Sequence, residues 1–316
     1  MLRTGDFLCA WEEGPKRQHN AAHGSLEVRK ADSRVPELPE VETVRRGLER
    51  QLQAFQIERV DVLRQRAIAW PPDSELFCAA LCGTRVGNWT RRGKYLMASL
   101  EQAGEDAGHW GIHLRMTGQF LWLDVAQEPC RHTRVRLWNA AGAELRFVDT
   151  RSFGQMWWVP PGQPPETVIT GLRRLGPEPF SEAFSPEHLR ERLAGSSRPI
   201  KTALLDQALV AGVGNIYADE ALFLSRIDPH TASGRVSAAQ LEELHRALVE
   251  VLHTSIGAGG TTFSDFRDLT GTNGNYGHAA WVYRRTGQPC RICGTPIRRD
   301  RIGGRSSHWC AQCQSR

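Results

Sequence analysis

The residue types with the plainest chemistry lie near the C-terminus. Cys290-x2-Cys293, sixteen residues, then Cys310-x2-Cys313 sets four thiols in two knuckles. At this spacing a chain can close a tetrahedral metal site with no open coordination position. Zinc suits four thiolates better than iron, which is chemically possible, and a closed zinc site is structural, not catalytic. A module this short has no core of its own, so one bound metal supplies its folding energy. From His278 to Arg316 there are also eight arginines and a single acid, Asp300. Such a cluster either grips phosphate or forms a solvated face. The other cysteines, Cys9, Cys78, Cys82 and Cys130, follow no pattern. With no secretory h-region near the start, a reducing cytosol and free thiols are expected.

The rest of the chain must build the scaffold. Its 316 residues, 40% hydrophobic and 24% charged, fit two domains of a soluble protein. No run reaches the roughly 18–20 apolar residues of a membrane span. Residues 1–34 lack hydrophobic periodicity and mix six basic with five acidic residues, too acidic for a transit peptide, and read as disordered. Val44, Leu48 and Leu52 follow Val41 at helical spacing, with Pro39 and Glu40 suited to a first turn, so a helix begins just after Pro36-Glu37. Between Arg85 and Pro160 the pattern turns to short alternating stretches, Tyr95–Leu100, Thr133–Trp138 and Glu144–Val148, the last two flanking an Ala-Ala-Gly turn. This predicts a sandwich. A proline-rich stretch, 160–165, and Leu175-Gly-Pro-Glu-Pro-Phe180 mark a hinge before a helical half from about Ser185 to Ile256. There Leu204–Val210 and Tyr217–Leu224 flank a glycine turn, with Asn215 placed to cap the second helix.

The string Pro36-Glu-Leu-Pro-Glu-Val-Glu-Thr-Val-Arg-Arg-Gly47 resembles the N-terminus of bacterial formamidopyrimidine-DNA glycosylases. Further matching blocks are Arg92-Gly-Lys-Tyr-Leu96, His113-Leu-Arg-Met-Thr-Gly118, Asp149-Thr-Arg-Ser-Phe-Gly154, Leu175-Gly-Pro-Glu-Pro179, Gly212-Val-Gly-Asn-Ile-Tyr217 and the ribbon with Gly303-Gly-Arg305. The resemblance implies an α+β fold: an N-terminal β-sandwich domain flanked by helices over 36–172, a linker over 173–184, a helix-two-turns-helix domain over 185–277 and a zinc ribbon over 278–316. It also implies a monomer acting in the cytoplasm, at the nucleoid, on double-stranded DNA with oxidised purines or abasic sites, with one structural zinc and no soluble cofactor.

By the same resemblance Pro36 is the nucleophile, Glu37 a proton donor, Lys94 the lysine of β-elimination and Arg305 the phosphate grip of δ-elimination. Met116, Arg151 and Phe153 fill the void left by an extruded base, while His132, Asn215 and Lys201, with Arg198, contact phosphate. In isolation Glu37 could equally be a helix cap, and Met116 and Phe153 core residues. Ser152, Ser196 and Ser197 stand where relatives carry basic residues, and Arg198 and Lys201 can compensate for the latter two. Gly259-Gly-Thr-Thr262 and the glycine-rich stretch 271–277 resemble a loop that closes over the extruded base.

Proline at a true N-terminus carries a secondary amine of pKa about 8, partly neutral in the cell and able to attack a sugar anomeric carbon. Mid-chain, its nitrogen is an amide and inert. Val35 occupies the position of the family's initiator Met, and valine is what a GTG start codon encodes when read internally. Translation is therefore expected to begin at residue 35 and the initiator to be removed, with proteolytic removal of a pro-segment as the alternative. Two other readings stay in play: a non-catalytic lesion-binding protein, if residues 1–34 are retained, and the related endonuclease VIII branch, which prefers oxidised pyrimidines. Leu38, the Met116–Arg151–Phe153 trio and the long glycine-rich loop favour the purine branch.

Overall fold

The computed structural model describes residues 36–53, 55–261 and 279–314. The extension 1–34, the start at Val35 and the glycine-rich stretch 271–277 lie outside the described residues. Helix α1 (Leu38–Gln51) begins where the sequence predicts, with Glu37 as its extended N-cap residue and Pro39 in the first turn. Its apolar stripe, Val41, Val44 and Leu48, is buried against the sandwich core.

The sandwich strands are β1 (Arg59–Val62), β2 (Ile68–Trp70), β3 (Arg85–Arg92), β4 (Tyr95–Gln102), β5 (Glu105–His113), β6 (Gly118–Leu123), β7 (Thr133–Trp138), β8 (Glu144–Asp149) and β9 (Gln155–Val159), with α2 (Ser74–Leu81) between β2 and β3. They form a five-stranded sheet in the order β2-β9-β5-β4-β3 and a four-stranded sheet in the order β1-β7-β8-β6. The strand pairs are antiparallel except β2 with β9. Facing side chains such as Trp110, Ile112, Phe120, Leu137 and Phe147 fill the space between the sheets. The hairpin predicted around Ala-Ala-Gly is β7–β8, and Gly142 supplies its left-handed residue at φ +83°.

A short helix α3 (Pro165–Val168) and a 3-10 turn over Thr170–Arg174 lead to the helical half: α4 (Pro186–Leu193), α5 (Ile200–Leu204), α6 (Asn215–Leu224) and α7 (Ala238–Gly257). Ser185 and Ser237 cap α4 and α7 through their hydroxyls. The helical stretch expected over Leu204–Val210 instead stops at Leu204. Asp206 Oδ1 accepts the Ala208 N–H at 3.0 Å, and the Gln207 amide bridges Gly212 N–H at 3.0 Å and Val213 C=O at 2.8 Å. Those side-chain bonds offer the backbone a turn in place of a helix. The C-terminal hairpin, β10 (Arg298–Ile302) with β11 (Arg305–Trp309), packs over a small third core formed by Phe223, Val282, Ile297 and Cys310.

Candidate active site and metal centre

Two glycines admit the start of α1 into the helical half. The Leu38 N–H donates to Gly212 C=O at 3.1 Å. A Cβ on Gly212 would lie 2.6 Å from Leu38 Cδ1, and one on Gly214 would lie 2.2 Å from the Glu37 carboxyl carbon. Only hydrogen leaves room for both side chains. Gly214 is also the N-cap of α6. Asn215, expected in that role, is instead the first helical residue, and its Nδ2 donates across to Ser306 C=O at 2.9 Å.

Pro36 is buried immediately before Glu37. Glu37 Oε1 accepts the Ile216 N–H at 3.1 Å, one of the open amides of the α6 N-terminus. Its other oxygen, Oε2, is buried with no partner among the described residues. Burial pushes the Glu37 carboxyl up to about 7, against the opposing pull of Lys94. At neutral pH the group is partly protonated, and the unpaired oxygen is available to carry and release that proton. Glu40, one turn on, gathers four donors: Glu37 N–H at 3.0 Å, Tyr217 O–H at 2.5 Å, and Thr261 N–H and Oγ1 at 2.8 and 2.6 Å. The first turn of α1 is thus tied to α6 and to the end of α7.

Lys94, in the tight β3–β4 turn, donates to Val213 C=O at 3.1 Å. Burial lowers its pKa, with Glu37 and Glu40 opposing and Arg305 adding to the effect. A cavity of about 660 Å³ between the two halves is lined by Lys94, Tyr95, His113, Met116, Phe153 and Arg305, among others. His113 was not singled out from the sequence, although it opens one of the quoted blocks. Its Nδ1 accepts the Arg115 N–H at 2.9 Å and its ring packs edge-on against Tyr95 at 4.6 Å. Burial, Arg115 and Lys94 hold its pKa well below the usual value. The imidazole is therefore neutral with its proton on Nε2, a donor at the cavity wall.

Met116 and Phe153 sit on two neighbouring turns, and both are held by the buried carboxylate of Asp149. Its Oδ1 accepts from Thr117 Oγ1 and from Arg151 N–H, and its Oδ2 accepts from Gly154 N–H at 2.7 Å. Gly118 and Gly154 let both turns pass over the Phe147 ring, since a Cβ on either would lie within 2.7 Å of Phe147 Cζ. Arg115 and Ser152 take left-handed φ of 56° and 54°, backbone strain that the Asp149 bonds hold in place. Phe153 is exposed, with the Arg151 guanidinium 4.9 Å and that of Arg66 5.5 Å from its ring centre. His132 lies beside this pair of turns, its carbonyl accepting Asp149 N–H at 2.9 Å. Its ring faces Arg131 at 3.0 Å and Arg134 at 3.4 Å, and burial with these two cations lowers its pKa.

Lys201 departs from expectation. It is fully buried, with its ammonium bonded to Asp219 and to Asn215 C=O at 2.8 Å. In this position it cannot also reach a phosphate at the surface, because freeing it would strand a buried carboxylate. Arg198 is half-exposed and paired with Asp206 at 3.1 Å.

Helix α6 also seats the ribbon. Asp219 Oδ2 accepts the His308 N–H at 3.0 Å, and Glu220 accepts the backbone N–H groups of Trp281, Val282 and Tyr283 at 2.7, 3.0 and 2.8 Å. The β10–β11 turn, Gly303-Gly304, has φ +55° and +79°, and it delivers Arg305 to the cavity edge. The sulfurs of Cys290, Cys293, Cys310 and Cys313 all lie within 4.8 Å of one another, with Cys290–Cys313 at 3.8 Å and Cys293–Cys310 at 3.5 Å. Four sulfurs around a tetrahedral zinc at about 2.3 Å stand roughly 3.8 Å apart. The cluster fits one structural zinc with no open position.

The chain matches three family models: the formamidopyrimidine-DNA glycosylase N-terminal domain over 35–156, the H2TH domain of the same enzymes over 175–267, and the zinc finger found in FPG and IleRS over 287–316. The formamidopyrimidine-DNA glycosylase of Prochlorococcus marinus (strain MIT 9313) is 64% identical over 290 residues, covering 89% of the chain and 100% of that protein. That of Parasynechococcus marenigrum (strain WH8102) is 67% identical over 280 residues with the same coverage. Among solved structures, a Lactococcus lactis FPG mutant in complex with a Fapy-dG containing DNA superposes with a TM-score of 0.81 at 32% identity, over 89% of this chain and 100% of that one. The complex of the Lactococcus lactis protein with an abasic site containing DNA gives the same TM-score, identity and coverage.

Proposed function

The chain belongs to the formamidopyrimidine-DNA glycosylase family, and from that premise we propose that it excises oxidised purines, 8-oxoguanine and formamidopyrimidines, from duplex DNA and then cuts the strand. It works as a monomer in the cytoplasm, at the nucleoid. The observation that carries the reading is the company Pro36 keeps: a half-protonated Glu37 carboxyl with one free oxygen, Lys94 bonded to the same glycine turn, and Arg305 at the edge of the same cavity.

The Pro36 nitrogen, free as an N-terminal amine, attacks C1′ of the damaged nucleotide. Glu37 gives its proton to the opening sugar ring oxygen or to the departing base, and an iminium links Pro36 to C1′. Loss of a C2′ proton expels the 3′ phosphate with Lys94 at the sugar. A second elimination expels the 5′ phosphate, whose charge Arg305 offsets, and water releases the sugar remnant to leave a one-nucleotide gap. Extrusion of the base exposes a void that Met116, Arg151 and Phe153 fill, with Arg151 meeting the orphaned partner base. The zinc holds the ribbon's shape and takes no part in bond making.

The test is borohydride trapping on a duplex with one 8-oxoguanine opposite cytosine, comparing protein that starts at Pro36 with the 316-residue chain. A covalent adduct from the Pro36 form alone is expected. Adducts from neither would leave a lesion-binding protein and overturn the reading.

A further inference from the structure

The connection between β6 and β7, residues 124–132, has no regular secondary structure of its own, yet it ends on the basic cluster Arg131, His132 and Arg134. What fixes it is an ion triad on the neighbouring strands. Glu144, at the start of β8, is fully buried. It takes two parallel bonds from Arg136, at 2.8 and 2.9 Å, and two from Arg146, at 2.7 and 3.0 Å. Both guanidiniums also reach the connection. Arg136 and Arg146 both donate to Gln127 C=O, at 2.8 and 2.5 Å, and Arg146 donates to Glu128 C=O at 3.2 Å. Pro129 follows directly, and a proline stiffens both itself and the residue before it. The path from the clamped carbonyls to Cys130 and His132 is therefore short and rigid, and it is closed at its far end by Thr133 N–H on Cys130 C=O at 3.0 Å and Asp149 N–H on His132 C=O.

We infer that Glu144 is a positioning residue for DNA binding: through Arg136 and Arg146 it fixes residues 127–128 and so sets the basic cluster around His132 against the phosphate backbone. Stability alone is a poor account of the triad. Buried ion groups of this kind contribute little net stability compared with apolar residues of similar volume, whereas planar, doubly bonded guanidiniums specify geometry closely. Without the carboxylate, two arginines would lose the partner that turns them inward, and the connection would lose its anchor. The inference rests on the DNA-binding reading above.

The experiment is a binding titration of the full chain against a duplex with one abasic-site analogue, at several salt concentrations, for wild type, E144Q, H132A and the double variant. Expected is a Kd about tenfold weaker for E144Q at each salt concentration and no further loss when H132A is added. Losses that add, or an E144Q variant that melts lower yet binds as wild type, would overturn the inference. Should E144Q not fold, the apolar triple variant E144L/R136M/R146L keeps the packing and must weaken binding in the same way; wild-type binding by it would also overturn the inference. An H132A variant that binds as wild type would overturn the positioning role while leaving Pro36 trapping, and the glycosylase reading, intact.

Discussion

Burial gives Glu37 its chemistry and also a cost. Its pKa in the fold, about 7, lies above the ordinary carboxyl value of 4.5, so between those values the folded chain holds more of this proton than the unfolded chain. The stability it contributes is therefore fully present below about pH 4.5 and is lost as the pH rises through 7. Activity that needs the protonated form follows the same direction. Because the attacking Pro36 amine, of pKa about 8, must at the same time be neutral, single-turnover base release is expected to be level between about pH 7 and 8 and to fall about tenfold per unit above about 8. E37Q, which has no proton to lose, should flatten that limb while lowering the rate about 100-fold. A limb that persists unchanged in E37Q would assign it to another group. Little of this was visible at the level of residue types. Pro36-Glu37 stands out in the sequence by its resemblance to a family N-terminus, but the raised pKa depends on burial by a glycine turn far along the chain, against the lowering pull of the Ile216 N–H, 179 residues away. The neutral His113 likewise depends on burial in the fold and on the charges of Arg115 and Lys94 beside it.

Among the elements, the turn Ala211–Asn215 does the most to bring the halves together. Gly214 has an ordinary φ of −133°, so alanine there is conformationally allowed and its effect is purely steric. The G214A side chain would occupy the space of the Glu37 carboxyl. The expected cost is about 1–3 kcal/mol in stability, with base release reduced far more than zinc content, as read by melting, single-turnover cleavage and metal analysis. Wild-type cleavage by G214A would mean that Glu37 has room the glycine does not need to provide. The hairpin β7–β8, the start of α1 and the zinc knuckles were legible in the sequence, because each is a local pattern of period or spacing. The early end of α5, the inward turn of Lys201 and the Glu144 clamp were not. Each depends on which side chain meets which across the fold, and charge alone reads the same on a buried lysine as on an exposed one.

At the scale of the whole molecule, the ribbon is held by its metal and by α6, with no core of its own beyond a few side chains. Removing zinc with a chelator should therefore release Arg305 from the cavity edge and suppress the second elimination, the one that expels the 5′ phosphate, while the sandwich and helical cores still melt cooperatively. Fluorescence of Trp281 and Trp309, both packed on that small module, would report the loss; unchanged release of the 5′ phosphate after complete zinc removal would contradict the placement of Arg305. The Glu40 hub carries a different consequence, one of timing. Its donors Tyr217 and Thr261 lie 177 and 221 residues further along the chain. During synthesis the sandwich emerges before the helical half, and the Glu37–Glu40 turn stays without these partners until most of the protein has left the ribosome. The first turn of α1 is thus made early and completed late, so an unfinished chain lacks the arrangement around Glu37 and Glu40 on which the proposed chemistry depends.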